Sequence, residues 1–215
     1  MRYFDIQIPA LDTTRLMFKE LESDNRTSKI DLGIGIYRDE KGEAPVFKAV
    51  KKAEAILLET EVSKSYKTPA GNYEYCNNIL ELVLGKDIIN ERGDKIGAIQ
   101  IPGAGSGLRI AGELIKNKLK NNLISIPNPT WGQQTFMFQK SGLKILKHTY
   151  YDNANNLLNF DEMILDLNKL KSGDALLLHG CCHNPTGADL NTYQWEEVAE
   201  TCKKNGIVPF IDLVY

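Results

Sequence analysis

No apolar run in the 215-residue chain approaches the ~18 residues that would suggest a membrane-spanning helix. Neither sign of charge is in excess: 26 Lys and Arg stand against 28 Asp and Glu, a net −2. That balance gives no footprint for nucleic acid or an acidic membrane, and no long block of like charge occurs. The opening residues, MRYFDIQIPALDTTRL, hold neither the apolar core nor the small-residue cleavage site of a signal peptide, so a cytoplasmic protein is expected. Cysteine is scarce at four residues, and only Cys181 and Cys182 are near each other, beside His183. Zinc sites space their short-range ligands by two or more residues, and adjacent side chains at a strand end point to opposite faces. Buried small thiols are therefore expected there rather than a metal. Repeats, low-complexity segments and flexible linkers are missing too. What remains is 42% hydrophobic and 25% charged, the composition of a soluble globular protein, which excludes disorder and collagen-like repeats.

Short apolar runs alternate with helical patterns from about residue 96 onward. Strands are expected at Ile96–Ile101, Asn122–Ile126, Lys144–Thr149, Ala175–His179 and Ile207–Val214, with helices at Leu108–Leu119, Gly132–Lys140, Phe160–Leu170 and Thr192–Asn205. In the last helix Trp195, Val198, Ala199 and Cys202 fall on one face, and Gly206 stands where a left-handed cap would end it. Continuously apolar strands spaced by helices predict an α/β fold, a mostly parallel sheet with helices on both faces. The preceding part differs. A helix is expected near Thr13–Leu21, a Gly-punctuated strand at Asp31–Tyr37, and a helix at Pro45–Thr60 with Val46, Val50, Ala53 and Leu57 on one face. Residues 1–44 read as an N-terminal arm and part of a smaller unit.

Ligands of open α/β sheets bind outside the carboxyl ends of the strands, and every unusual motif here follows a strand. Pro102-Gly-Ala-Gly-Ser-Gly107 lies before a helix, where free N–H groups favour an anion. It is either a phosphate cradle or a tight strand-to-helix turn. Its spacing is not the dinucleotide fingerprint, the next strand ends without an acidic residue, and no lysine follows to make a nucleotide P-loop. Asn128-Pro-Thr-Trp131 offers an indole face for stacking, or a cap on the core. In His179-Gly-Cys-Cys-His-Asn-Pro-Thr-Gly187 the proline restrains Asn184, either to aim its amide or simply to make a turn. Asp212 interrupts the apolar VPFIDLV run, where a carboxylate needs a cation or donors unless it is solvated at the strand end. A phosphate cradle, an aromatic plate, a fixed amide and a carboxylate with a phenol three residues on are together the parts that hold pyridoxal phosphate.

These motifs, with DLGIGIYRDEKGEAPVFKAVKKAE and Ser65-Tyr66 before them, resemble the N-terminal half of a class I aminotransferase of the aspartate/aromatic amino acid group, a fold type I pyridoxal phosphate enzyme. The resemblance implies that Gly105 and Ser106 bind the cofactor phosphate and that Trp131 stacks on the ring and touches substrate. It implies that Asn184 and Tyr215 bond the phenolic oxygen, with Asn184 also at the substrate, and that Asp212 pairs with the ring nitrogen. Gly35 would lie against the substrate carboxylate, and Tyr66 would reach the phosphate of a neighbouring subunit in a homodimer. Residues 45–215 would be an incomplete cofactor-binding large domain. Gln134 stands where the group usually has a histidine supporting the aspartate. The Schiff-base lysine and the phosphate- and substrate-binding arginines of the group fall beyond Tyr215. The expected function is transamination between an amino acid, aspartate or aromatic, and a 2-oxo acid, with these 215 residues inactive by themselves. The alternative is a non-catalytic cofactor-binding or assembly remnant.

Overall fold

A computed structural model of the chain describes residues 13–31, 33–66 and 68–215. Contacts divide it into two units, Met1–Tyr66 and Lys67–Tyr215. Of the expected N-terminal arm, residues 1–12 lie outside the described residues.

The first unit contains helix α1 (Thr13–Ser23) and helix α2 (Lys48–Thr60). The segment Asp31–Tyr37, expected to be a strand, pairs with no neighbour among the described residues. Its local order comes instead from Asp31, which accepts the backbone N–H of Gly33 at 2.9 Å and pairs with the Arg38 guanidinium at 2.9 Å. Helix α2 starts three residues later than expected and buries none of its side chains. Val46, Val50 and Leu57, read as lying on one face of this helix, are all exposed.

The second unit carries the sheet. Helix α3 (Tyr73–Arg92) is two helices meeting at Gly85, whose φ of 78° breaks the helical path. Helix α4 (Ala104–Lys118) follows, then strand β1 (Leu123–Asn128), helix α5 (Gly132–Lys140), strand β2 (Lys144–Thr149), and the two-residue strands β3 (Tyr151–Asp152) and β4 (Leu157–Leu158). Helix α6 (Phe160–Leu167), strand β5 (Ala175–His179), helix α7 (Thr192–Asn205) and strand β6 (Val208–Asp212) complete it. The main sheet has the order β2-β1-β5-β6 and is parallel throughout.

Alternation along β5 explains how two faces are covered. Ala175 and Leu177 pack with Leu108 and Ile115 of α4 and Phe138 of α5. Leu176 and Leu178 pack with Met163 and Leu167 of α6 and with Val198 and Cys202 of α7. Successive side chains point to opposite faces, so the all-apolar ALLL run belongs to a strand buried on both sides. Helix α7 is held at its start by Asn191 and Gln194, each side chain bonding the other's backbone N–H, and at its end by left-handed Gly206. Ala199 faces solvent, and buried Thr201 completes the inner face in its place.

The segment Ile96–Ile101 departs from the sequence reading. It has no strand partner among the described residues; Gln100 ties it to the preceding loop, its N–H donating to the Ala70 carbonyl at 2.9 Å and its side chain accepting from Asn72 N–H at 3.0 Å. An apolar alternation makes a strand only where a neighbouring backbone completes its ladder. The last strand also ends early, at Asp212, leaving Leu213 to Tyr215 outside the ladder. Among the described residues no helix is long and apolar enough to cross a membrane.

Candidate active site

Parallel pairing of β5 with β6 sets His179 directly opposite Asp212. The backbone N–H of Gly180 donates to the Asp212 carbonyl at 2.8 Å, so the two strand ends are tied just where the chain leaves the sheet. Buried Gln134, in the first turn of α5, reaches this edge, and its Nε2 donates to Asp212 Oδ2 at 2.5 Å. The Gln134 carbonyl accepts from Thr130 Oγ1 at 2.5 Å and lies 3.0 Å from His179 Nε2. Asp212 is therefore not simply solvated at a strand end. It is half-buried, and one of its oxygens is anchored.

The loop after β5 is built on its own side chains. Asp189 accepts the N–H groups of Cys182 at 2.8 Å and His183 at 2.9 Å, pulling the turn closed. Asn184 donates its backbone N–H to His179 Nδ1 at 3.1 Å, which fixes the half-buried residue beside the strand end. The Asn128–Pro129 and Asn184–Pro185 bonds are both cis. His183 stacks on His179 at 4.5 Å and on Tyr150 at 3.9 Å, and the Tyr150 hydroxyl donates to the Ala188 carbonyl at 2.6 Å. Burial lowers the His179 ring from its ordinary range, although Asp212 and Asp189 oppose the shift. Burial, with His179 adding to it, brings His183 down to about 4. Burial also raises the Tyr150 phenol.

The thiols beside this loop differ from expectation. Cys182 is exposed with φ at 50°, and Cys181 is half-buried, whereas Cys76 and Cys202 are buried. The turn that seats His183 inward carries its two predecessors toward the surface. No cluster of metal-ligating side chains occurs among the described residues.

The glycine loop leads into α4 through Gly103, at φ 91°, whose N–H donates to the Ile101 carbonyl at 3.0 Å. The first turn of a helix leaves its N–H groups without partners in the helix, and Gly105 and Ser106 lie in that turn. Gly107 is close enough to Ile101 that an added Cβ would sit 2.5 Å from its Cδ1, so a side chain there would have to displace the end of the Ile101 side chain. Trp131 is the N-cap of α5, with 36% of its surface exposed at the end of the β1–α5 loop. Tyr215 is exposed three residues past β6. Gly35 and Tyr66 belong to the first unit, and both are exposed.

A family model described as aminotransferase class I and II matches residues 27–215. The chain belongs to this family. It is 38% identical to the aspartate aminotransferase of Escherichia coli over 195 residues, 90% of this chain and 49% of that protein. It is 41% identical to the tyrosine aminotransferase of Rhizobium meliloti over 192 residues, 89% of this chain and 48% of that one. An aromatic-amino-acid aminotransferase from Burkholderia pseudomallei, solved covalently bound to pyridoxal phosphate, superposes with a TM-score of 0.94 at 31% identity. That match covers all of this chain and 54% of the other. The chain thus spans about half the length of the curated relatives it matches.

The cofactor of class I aminotransferases is pyridoxal phosphate, and the donor set described above fits it. A helix N-terminus with small residues suits a phosphate, and an anchored carboxylate suits a protonated ring nitrogen. Sequence reasoning singled out Asp212, Asn184 and Gln134, but it assigned nothing to His179 or Thr130. A histidine closing an all-apolar strand was the available signal for His179. For Thr130 there was none, because its role depends on contacts across the fold.

Proposed function

We propose that this chain forms part of a pyridoxal phosphate-dependent transaminase that moves an amino group between an amino acid, aspartate or aromatic, and a 2-oxo acid. The observation that carries the proposal is the Asp212 carboxylate, anchored by Gln134 at 2.5 Å at the end of a parallel sheet. When bound, the cofactor supplies an electron sink conjugated to its ring nitrogen. Asp212 would keep that nitrogen protonated. Gly105 and Ser106 would hold the phosphate, Trp131 would cover the ring, and Asn184 and Tyr215 would bond the phenolic oxygen. Gly35 would contact the substrate carboxylate, and Tyr66 would complete the site of a second copy in a cytoplasmic homodimer. Aspartate and aromatic substrates stand together because relatives of both kinds match at similar identity.

The test is amino transfer by the full-length protein with pyridoxal phosphate, using aspartate, glutamate, tyrosine and phenylalanine with 2-oxoglutarate or oxaloacetate as acceptor. Turnover with at least one pair is expected, together with a visible absorbance that shifts on adding amino donor. Stoichiometric cofactor binding without amino transfer from any donor would overturn the transaminase reading. The 215 residues expressed alone are expected to show no turnover.

A further inference from the structure

The hydrogen bonds around Gln134 all run in one sense. Asn184 N–H donates to His179 Nδ1 at 3.1 Å, and the opposite ring nitrogen, Nε2, lies 3.0 Å from Gln134 Oε1. Gln134 Nε2 then donates to Asp212 Oδ2 at 2.5 Å. The amide cannot be reversed without setting its carbonyl against the Asp212 carboxylate; as placed, its Oε1 also accepts from the Thr130 hydroxyl at 2.5 Å. An amide oxygen only accepts and a backbone N–H only donates. The His179 proton must therefore sit on Nε2, and Nδ1 must be bare.

We propose that Gln134 is a positioning residue that couples Asp212 to the neutral Nε2–H form of His179, giving the carboxylate a fixed support that does not titrate near neutrality. An extra proton on His179 could enter only at Nδ1, where it would meet the Asn184 N–H. The charged groups facing the ring are Asp212 across the sheet and Asp189 in the following loop, and both favour protonation. Stacked on the ring, His183 supplies no charge near neutrality, since it is held down to about 4. Tyr150 packs beyond His183 and is not charged there either, its phenol being raised. Burial and the backbone N–H oppose the two carboxylates. Gln134 itself has no proton to gain or lose, so the donor it presents to Asp212 does not change with pH where a histidine's would.

This inference rests on the transaminase reading only for its consequence at the ring nitrogen; the network is measured without cofactor. Ring ¹⁵N spectra of the full-length apoprotein, labelled at histidine, should show His179 pyridine-like at Nδ1 and pyrrole-like at Nε2. The pattern should persist to lower pH than an ordinary histidine ring would allow, burial opposing the extra proton. Gln134→Leu removes the nearer acceptor, leaving Thr130 Oγ1 at 3.4 Å, and solvent exchange of the His179 Nε2 proton should accelerate roughly tenfold, the equivalent of one lost hydrogen bond. Gln134→His restores a donor to Asp212 and should introduce a new pH-dependent step in the cofactor-bound absorbance. A purely space-filling role for Gln134 would produce neither change. A protonated or Nδ1–H form of His179 near neutrality would overturn the proposal, as would unaltered exchange in the leucine variant. If that variant does not fold, the spectra of the native protein and the histidine variant still decide. Failure to transfer amino groups, with the His179 pattern intact, would instead count against the transaminase reading alone.

Discussion

Acidification should destabilise the second unit through His148. Its ring is 2% exposed, its Nδ1 lies 2.9 Å from Ser125 Oγ, and its Nε2 has no partner among the described residues. Burial drives its pKa from 6.5 to about 3; Asp166 pulls in the opposite direction, and His183 adds to the fall. The folded ring thus stays neutral while the unfolded ring takes up a proton. A depressed pKa means that the contribution is whole above pH 6.5 and is lost as pH falls toward 3. The slope in that window is about 1.4 kcal/mol per pH unit, so moving from about pH 7.5 to about pH 5 should remove about 2 kcal/mol. His183, also depressed, acts in the same sense, so the native protein alone does not isolate His148. The comparison that does is His148→Asn, which retains a polar partner for Ser125 and cannot titrate. Equilibrium urea denaturation of both proteins at the two pH values should show the variant losing about 2 kcal/mol less on acidification. Equal losses would refute the reasoning, and so would an NMR titration midpoint for His148 near its ordinary value.

Asp212→Asn should preserve the fold, because an amide oxygen can still accept from Gln134. It should cost turnover of the cofactor-loaded enzyme on the order of 4 kcal/mol, about a thousandfold; near-normal kcat would remove Asp212 from its assigned role. Phe138 is fully buried and meets Phe210 edge-on at 5.7 Å. Phe138→Ala should therefore destabilise by about 3–5 kcal/mol in denaturation, and a loss below about 1 kcal/mol would mean that the face packs differently. Asn191→Ala removes the reciprocal cap of α7 and should lower stability by about 1 kcal/mol without changing kcat.

What was legible in the sequence follows from how local each signal is. The run ALLLH states its own burial, and Gly206 marks the end of α7. By contrast, IGAIQI carries the same alternation as a strand but finds no neighbouring strand to complete a ladder among the described residues, and no reading of those residues alone reveals that. Helix α3 escaped notice because it is interrupted at Gly85 and, of its residues, buries only Cys76, so no apolar stripe announces it. The exposed Cys182 was misread for a related reason. The closing of its turn by Asp189, seven residues on, decides which way the thiol faces.

The site shows the same division more sharply. Asp212 was recognisable because a carboxylate in an apolar strand requires an explanation, and Gln134 because it departs from a resembled pattern. Their coupling was not recognisable, since it needs residues 130, 134, 179 and 212 brought together by sheet register and helix placement. Replacing a ring by an amide at position 134 changes more than size. A ring nitrogen can exchange its proton, so its support of a carboxylate varies with pH, whereas an amide presents a permanent donor on one side and a permanent acceptor on the other. That acceptor demands a donor, and the two found here are the Thr130 hydroxyl and the Nε2–H of His179. The orientation of His179 is in turn set by the Asn184 N–H in the HNPTG turn. The glutamine is therefore accommodated because residues distant in sequence already point a donor at it, and each of them is held by backbone that the parallel sheet has placed.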